Sequence, residues 1–303
     1  MKPAHAFLAL FVAAIWGFNF VVIKAGLHAY PPLMLGCLRF LAAAVFTLFM
    51  RRPSGLNWSY LISAGALLFL GQTGFMFVAM YVGMPPGLAS VVIQAQAFLT
   101  IFIAYFVLAE IPSRRQLAGA TVAAGGLVVI AISIGNSSDG SLVSFALMLA
   151  AAASWAAANV LIRRGPKTDM VATMAWLSLV PPAPLLALSL YFEGNSALVA
   201  LMHPTLLGLG SIGYLSAVVT LFGFGAWGHL LKLYPAGTVA PFATAVPIFG
   251  AASSALVFGE KFTAVDFLGM ILVLFGLFLV TRSRSTKGRD PSRPETQLNP
   301  AER

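Results

Sequence analysis

Apolar residues along this chain do not alternate with polar ones; they run. Windows of about 20 mainly apolar residues, the length that crosses the hydrocarbon core of a bilayer, cover 4–23, 33–50, 58–81, 87–109, 115–134, 142–162, 171–191, 205–230, 237–259 and 265–282. Strands of a membrane barrel would be about half as long and would alternate in polarity. Backbone polar groups in lipid have to be paired within their own segment. The pattern therefore predicts an all-α membrane protein with ten transmembrane helices. Polar residues gather in short joints such as Pro31-Pro32, Pro53-Ser54-Gly55, Pro85-Pro86-Gly87 and Gly135 to Gly140, which leave no room for a soluble domain. Residues 283–303 are rich in Ser, Pro, Arg and Glu and almost devoid of apolar side chains, so a disordered cytoplasmic tail is expected there.

The chain repeats itself. "EIPSRRQLAG" at 110–119 has a near twin, "EKFTAVDFLG", at 260–269, and the same offset of 150 aligns Pro85 with Pro235, Gly87 with Gly237 and Gly126 with Gly276. Nearer the start, Trp16, Lys24 and Gly26 align with Trp155, Arg163 and Gly165 at an offset of 139. Each copy holds five spans, so the second enters the membrane upside down. The expected organisation is a first repeat at 1–134, an external linker at 135–141 and an inverted second repeat at 142–282. Inverted repeats are a recurring plan of secondary transporters, with the substrate near the bilayer midplane between the halves.

Charge supports the inversion. Only 9% of residues are charged, against 59% hydrophobic, and the net charge of +9 suggests nucleic acid until the positions are read. With the amino terminus in the cytoplasm, fifteen of the eighteen basic residues lie inside, Lys24 and Lys261 lie outside, and Arg39 sits within a span. That is the positive-inside distribution, and it explains why the turn with Arg114 and Arg115 has a twin without arginine. No nucleic-acid partner is implied. Cys37, the single cysteine, excludes an internal disulfide and a cysteine metal cluster.

The runs "WGFNFVVIKAGLH" (16–28), "PPLMLGCLRF" (31–40) and "MPPGLASVVIQAQAF" (84–98), in a ten-span duplicated chain, resemble the EamA branch of the drug/metabolite transporter superfamily. Within it the resemblance is to bacterial inner-membrane exporters of O-acetylserine and cysteine, with aromatic and broader amino-acid exporters as neighbours. It implies a multi-pass protein with both termini cytoplasmic, and a central cavity lined mainly by spans one, three, four, six, eight and nine. The implied function is export of amino acids or related metabolites by alternating access. Export of a drug or another metabolite, or a non-transporting receptor, are the alternatives.

Candidate substrate-binding residues are Trp16 and Asn19 in the first span and Trp155 and Asn159 in the sixth, each pair on one helix face. Together they form either an aromatic and amide wall for a substrate or interfacial anchors and interhelical glue. In the fourth span Ser90 and Gln94 share a face, while Gln96 lies about 200° around from Gln94. The twin of Gln94 is Thr244, a further candidate, and the twin of Ala97 is Pro247, expected to kink the ninth span. Arg39 is positioned either to hold a substrate carboxylate or to snorkel or hydrogen-bond within the packing. Glu110 and Glu260 are each expected to cap the helix that follows. No span carries an Asp or Glu at its middle. "GLGSIG" at 208–213 satisfies G-x-G-x-x-G inside an apolar span, without the strand a nucleotide site needs. The motifs H-E-x-x-H and G-x-S-x-G are missing, so neither an enzyme, a metal, a cofactor nor direct ATP drive is expected. Glycine and alanine stripes at Gly119, Ala123 and Gly126, and at Gly269 and Gly276, are expected where spans five and ten meet.

Overall fold

A computed structural model of the protein describes residues 1–136, 141–166 and 168–281. The expected tail at 283–303, and residues 137–140 of the expected linker, lie outside the described residues. Among the described residues, ten helices are long and apolar enough to cross a membrane. Spans 1 to 5 are Pro3–Gly26, Pro32–Phe49, Trp58–Tyr81, Pro86–Leu108 and Arg114–Asn136; spans 6 to 10 are Leu142–Arg164, Met170–Phe192, Leu206–Leu233, Gly237–Phe258 and Ala264–Thr281. A short helix, Asn195–Met202, joins spans 7 and 8. There is no strand among the described residues.

Local chemistry fixes the helix ends. Pro3, Pro32 and Pro86 occupy first turns, where a missing N–H costs nothing. Asn57, Ser141, Asp169 and Thr205 accept from the first-turn amides of spans 3, 6, 7 and 8. Spans 4 and 9 end at twin left-handed residues, Ala109 (φ 54°) and Gly259 (φ 66°).

The expected role of Glu110 and Glu260 needs correcting. The decapeptide that contains each glutamate also contains a capping box three residues further on. Ser113 and Gln116 close one around span 5, with the Ser113 amide donating to Gln116 Oε1 at 2.8 Å and the Gln116 amide to Ser113 Oγ at 3.2 Å. Thr263 and Asp266 close its twin around span 10 at 2.8 and 3.2 Å. With the following helices already capped, the glutamates act elsewhere. Glu110 binds Arg163 at the end of span 6 with contacts of 2.7 and 2.9 Å. Glu260 accepts from the amide of Gly87, at the start of span 4, at 2.9 Å.

Small residues decide where helices approach. Spans 5 and 10 form one long seam: a Cβ on Gly276 would stand 2.4 Å from the Gly119 carbonyl oxygen, and one on Gly126 would stand 2.8 Å from that of Gly269. Spans 1, 4 and 9 cross where Gly250 faces Ser90 and Gly17 faces Gly250. The two repeats interlock there, because span 1 belongs to one and span 9 to the other.

The seam yields a test. Gly276→Val forces backbone apart, a cost on the order of 1–3 kcal/mol, and is expected to lower the melting temperature in detergent by several degrees. Gly125→Ala, on the partner span 5 at a position where an added Cβ meets nothing within 4 Å, is expected to leave it unchanged. Equal melting of the two variants would mean that the seam does not hold the bundle.

Candidate substrate site

Six helices lose regular winding: span 2 ends in a 3-10 turn at Val45–Phe49, span 7 breaks between Leu177 and Pro182, and spans 3, 4, 8 and 9 change their winding in twin pairs. Span 3 is π-helical over Ala66–Gly71 and span 8 over Tyr214–Gly223, positions that overlap at the repeat offset. Span 4 breaks at Ile93–Gln94, where the Gln94 amide reaches back only to Val91 O at 3.1 Å. Span 9 breaks at Thr244–Ala245, where the Thr244 and Ala245 amides reach Pro241 O and Phe242 O at 3.2 and 3.1 Å. Pro247 is in the first turn of the half-helix that follows, Val246–Phe258. Thr244 Oγ1 donates to Pro241 O at 2.6 Å, closing the turn locally. Such irregular backbone at membrane depth needs protein or a polar cavity around it, and paired irregularities of this kind point to a transporter's binding region.

Side chains from equivalent helices reach the loosened turns. Trp16 Nε1 of span 1 is 3.4 Å from Val219 O in the π-helical turn of span 8, and its ring packs on Phe224 and Trp227 with centroids 5.3 and 5.2 Å apart. In the other repeat, Ser154 of span 6 donates to Leu67 O in the π-helical turn of span 3 at 2.7 Å. Trp155 beside it is half-buried and bridges the two main apolar clusters. The twin tryptophans thus stand next to twin irregular turns.

Three polar side chains near these turns are buried and incompletely paired. Asn19, one turn beyond Trp16 on the same face, is 7% exposed, and its Oδ1 has no partner. Arg39 is 5% exposed, so it does not snorkel to water. Its NH2 group donates to Thr220 Oγ1 of the span 8 π-helical turn at 3.3 Å, while its Nε has no partner. The guanidinium lies over the rings of Phe40 and Phe77, at 5.0 and 5.8 Å; π-faces stabilise the cation but do not neutralise it. Gln94, at the break of span 4, is 7% exposed and its side chain makes no hydrogen bond among the described residues. Asn159 differs: its Nδ2 donates to Gln96 Oε1 at 2.7 Å and to Thr100 Oγ1 at 3.3 Å, joining spans 6 and 4. The two glutamines of span 4, Gln94 and Gln96, therefore point to different surroundings, as their spacing requires.

Sequence reasoning missed the π-helical turns, the proline-free break in span 4, and Thr220 as the partner of Arg39. Paired glycines, Gly65 and Gly71 in one copy and Gly213 and Gly223 in the other, bracket the π-helical turns and were the available signal. A lateral groove of about 640 Å³ opens elsewhere, walled by apolar residues of spans 2, 3, 6 and 7 such as Leu33, Phe75, Leu147 and Leu188. It is also lined by Glu193 and Ser196 and contains none of the candidate residues. "GLGSIG" is helical in span 8, with Gly208 against Tyr30. No group of three metal-ligating side chains occurs among the described residues.

Ten helices in two inverted repeats, broken at twin positions, define a multi-pass membrane transporter. The EamA-like transporter family profile matches residues 4–132 and 142–282, and the chain belongs to that family. It is 39% identical over 287 residues to a Salmonella typhimurium protein named "Probable amino-acid metabolite efflux pump", covering 92% of this chain and 95% of the relative. An Escherichia coli protein of the same name is 38% identical with the same coverage. A solved structure titled "Crystal structure of protein" superposes with a TM-score of 0.62 at 16% identity over 93% of this chain and 97% of its own, a likeness of fold.

The contrast between the asparagines is measurable. Asn159→Leu removes an interhelical bond worth about 0.6 kcal/mol on average and up to about 1.7, so its melting temperature in detergent is expected to fall. Asn19→Leu removes an unpaired buried acceptor, whose burial is itself unfavourable, and is expected to melt no lower than the parent. A reversed order would assign the structural role to Asn19.

Proposed function

We propose that the protein is a secondary transporter that exports amino acids or related small metabolites across the bacterial inner membrane by alternating access. O-acetylserine and cysteine head the range, which extends to aromatic or other amino acids. The observation that carries the reading is a buried site with both halves of a zwitterion's complement left open: a free acceptor, Asn19 Oδ1, and a cation, Arg39, with no carboxylate partner. Arg39 is set against span 8 through Thr220, and Asn19 lies one turn from Trp16, whose indole reaches the same π-helical turn. An α-amino acid brings an ammonium donor and a carboxylate. Gln94 adds a neutral amide that binds either end, and the indoles of Trp16 and Trp155, with Thr244 at the place equivalent to Gln94 in the second repeat, complete the wall for the side chain, while Asn159 holds span 6 to span 4. A π-stacked cation bound to one hydroxyl holds a carboxylate less tightly than a paired cluster would, and a carrier must let go of its cargo.

Both termini are cytoplasmic in this reading, following the basic turns. Cysteines at Arg114 and Lys261, both exposed, in a Cys37→Ser background are then expected to react with an impermeant maleimide from opposite sides of intact cells. Labelling from one side only would remove the inversion.

Cargo is tested with purified protein in liposomes and a panel of labelled amino acids including O-acetylserine and cysteine, with and without a pH gradient. Asn19→Leu and Gln94→Leu are each expected to slow export by about threefold to about fifteenfold, the range of one membrane hydrogen bond, with normal insertion. Movement of none of the panel would shift the reading to a drug or another metabolite, or to a receptor. Parental rates in both variants would return these residues to helix packing.

A further inference from the structure

The two repeats have the same parts but use them differently. At the face away from the chain termini, Glu260 accepts from Gly87 at 2.9 Å and also binds Ser254 Oγ. The ring of Phe262 covers Gly87 so closely that a Cβ there would stand 2.5 Å from Cζ. The half of span 4 nearest this face, Pro86–Val92, packs on the corresponding half of span 9, Val246–Phe258. At the face that carries the termini, the glutamate and the glycine of this arrangement have twins, while Ser254 corresponds to Ala104. Glu110 is the twin of Glu260, Gly237 of Gly87, and Pro112 of Phe262. Yet Gly237 has nothing within 4 Å of its Cβ position, and Glu110 is drawn aside by Arg163 at 2.7 Å. The halves of spans 4 and 9 on that side, Ala95–Leu108 and Ala236–Ala243, do not pack on each other as the opposite halves do. One gate is shut and its mirror image is open.

Arg163 in turn has a twin, Lys24, which now rests on the Met80 carbonyl oxygen at 3.3 Å. Exchanging the conformations of the two repeats exchanges these contacts. We infer that Glu110 and Glu260 are a reciprocal pair of latches: as the open gate shuts, Glu110 leaves Arg163 and docks on the amide of Gly237, while Glu260 leaves Gly87 and pairs with Lys24. Each carboxylate then has a partner in both states, a backbone amide when its gate is shut and a cation when it is open. Neither state leaves a carboxylate without a partner, which would be unfavourable for a buried charge. The paired capping boxes make this possible, since spans 5 and 10 do not need the glutamates. Burial raises the Glu260 carboxyl above the usual carboxylate range, with the Ser254 and Gly87 bonds opposing it, as a carboxylate shut into a gate requires. The inference rests on the alternating-access part of the proposed function and not on the identity of the cargo.

The test uses the full chain in liposomes with Cys37→Ser and a short bis-thiosulfonate cross-linker. Gly87→Cys with Phe262→Cys is expected to bridge in the described state, and Pro112→Cys with Gly237→Cys in the mirrored one; all the latch charges are retained in both pairs. The decisive measurement adds Lys24→Met to the 112–237 pair. Lys24 supports the described state through Met80, so a merely structural lysine would, on removal, speed bridging of the mirrored pair. The latch exchange predicts the opposite: bridging slowed by at least about threefold, the lower range for directly coupled side chains, with a similar slowing by Glu110→Leu. Should Gly87→Cys fold poorly, the 112–237 pair decides alone, because Gly237 has open space around it. No bridging of that pair, or bridging unchanged or faster with Lys24→Met, overturns the latch. Because the readout is bridging rather than flux, bridging without amino-acid movement faults the cargo, and movement without bridging faults the latch.

Discussion

The dominant constraint on this molecule is that hydrocarbon offers no hydrogen bonds to a backbone. Ten uninterrupted helices would meet it trivially, and spans 1, 5, 6 and 10 come close. Span 2 ends in a 3-10 turn and span 7 breaks between Leu177 and Pro182, while in spans 3, 8 and 9 polar groups reach the loosened backbone: Trp16 and Ser154 reach carbonyl oxygens of the π-helical turns, and Thr244 closes its own break. These repairs draw the irregular helices together between the repeats. The polar interior follows from that gathering, as does the place of Asn19, Arg39 and Gln94 within it.

Close approach of glycine-bearing helices gives the bundle two kinds of contact. The seam of spans 5 and 10 is long and uniform, with backbone on backbone at each glycine, and resists sliding because carbonyl oxygens sit in the gaps that side chains would fill. The crossing of spans 1, 4 and 9 is tightest around Ser90 and Gly250. It ties span 9 of one repeat to spans 1 and 4 of the other, where the seam joins one helix from each.

Much of this was legible in the residues. The spans stand within a few residues of the hydrophobic windows, because the length of an apolar run is set by bilayer thickness and little else. The duplication was legible from Glu110, Gly119 and their twins, and the glycine stripes lie where spans 5 and 10 meet. The destiny of the glutamates was not, because a cap is a local event while a partner across the repeat interface is not: the sequence shows Glu260 next to Lys261, and nothing in it says that Gly87 is the neighbour. The break in span 4 was hidden for a related reason. Pro247 advertises one in span 9 by lacking a donor, whereas Ile93–Gln94 is broken by what surrounds it. Around the site, residue types suggested a polar face, but only coordinates separate Asn159, which is spent on Gln96 and Thr100, from Asn19, which keeps an acceptor free.

The twin capping boxes have a bearing on how such a protein changes over time. Ser113 with Gln116, and Thr263 with Asp266, start their helices by contacts confined to four residues. Each turn therefore folds independently of the opposite repeat, and after duplication either copy was at liberty to drift without unravelling the other. The two boxes have already diverged in every residue while keeping the same geometry, and the arginines between Ser113 and Gln116 have become alanine and valine in the second copy. A helix start that closes within four residues works in either orientation, and the charges in and beside it can follow the side of the membrane on which it stands.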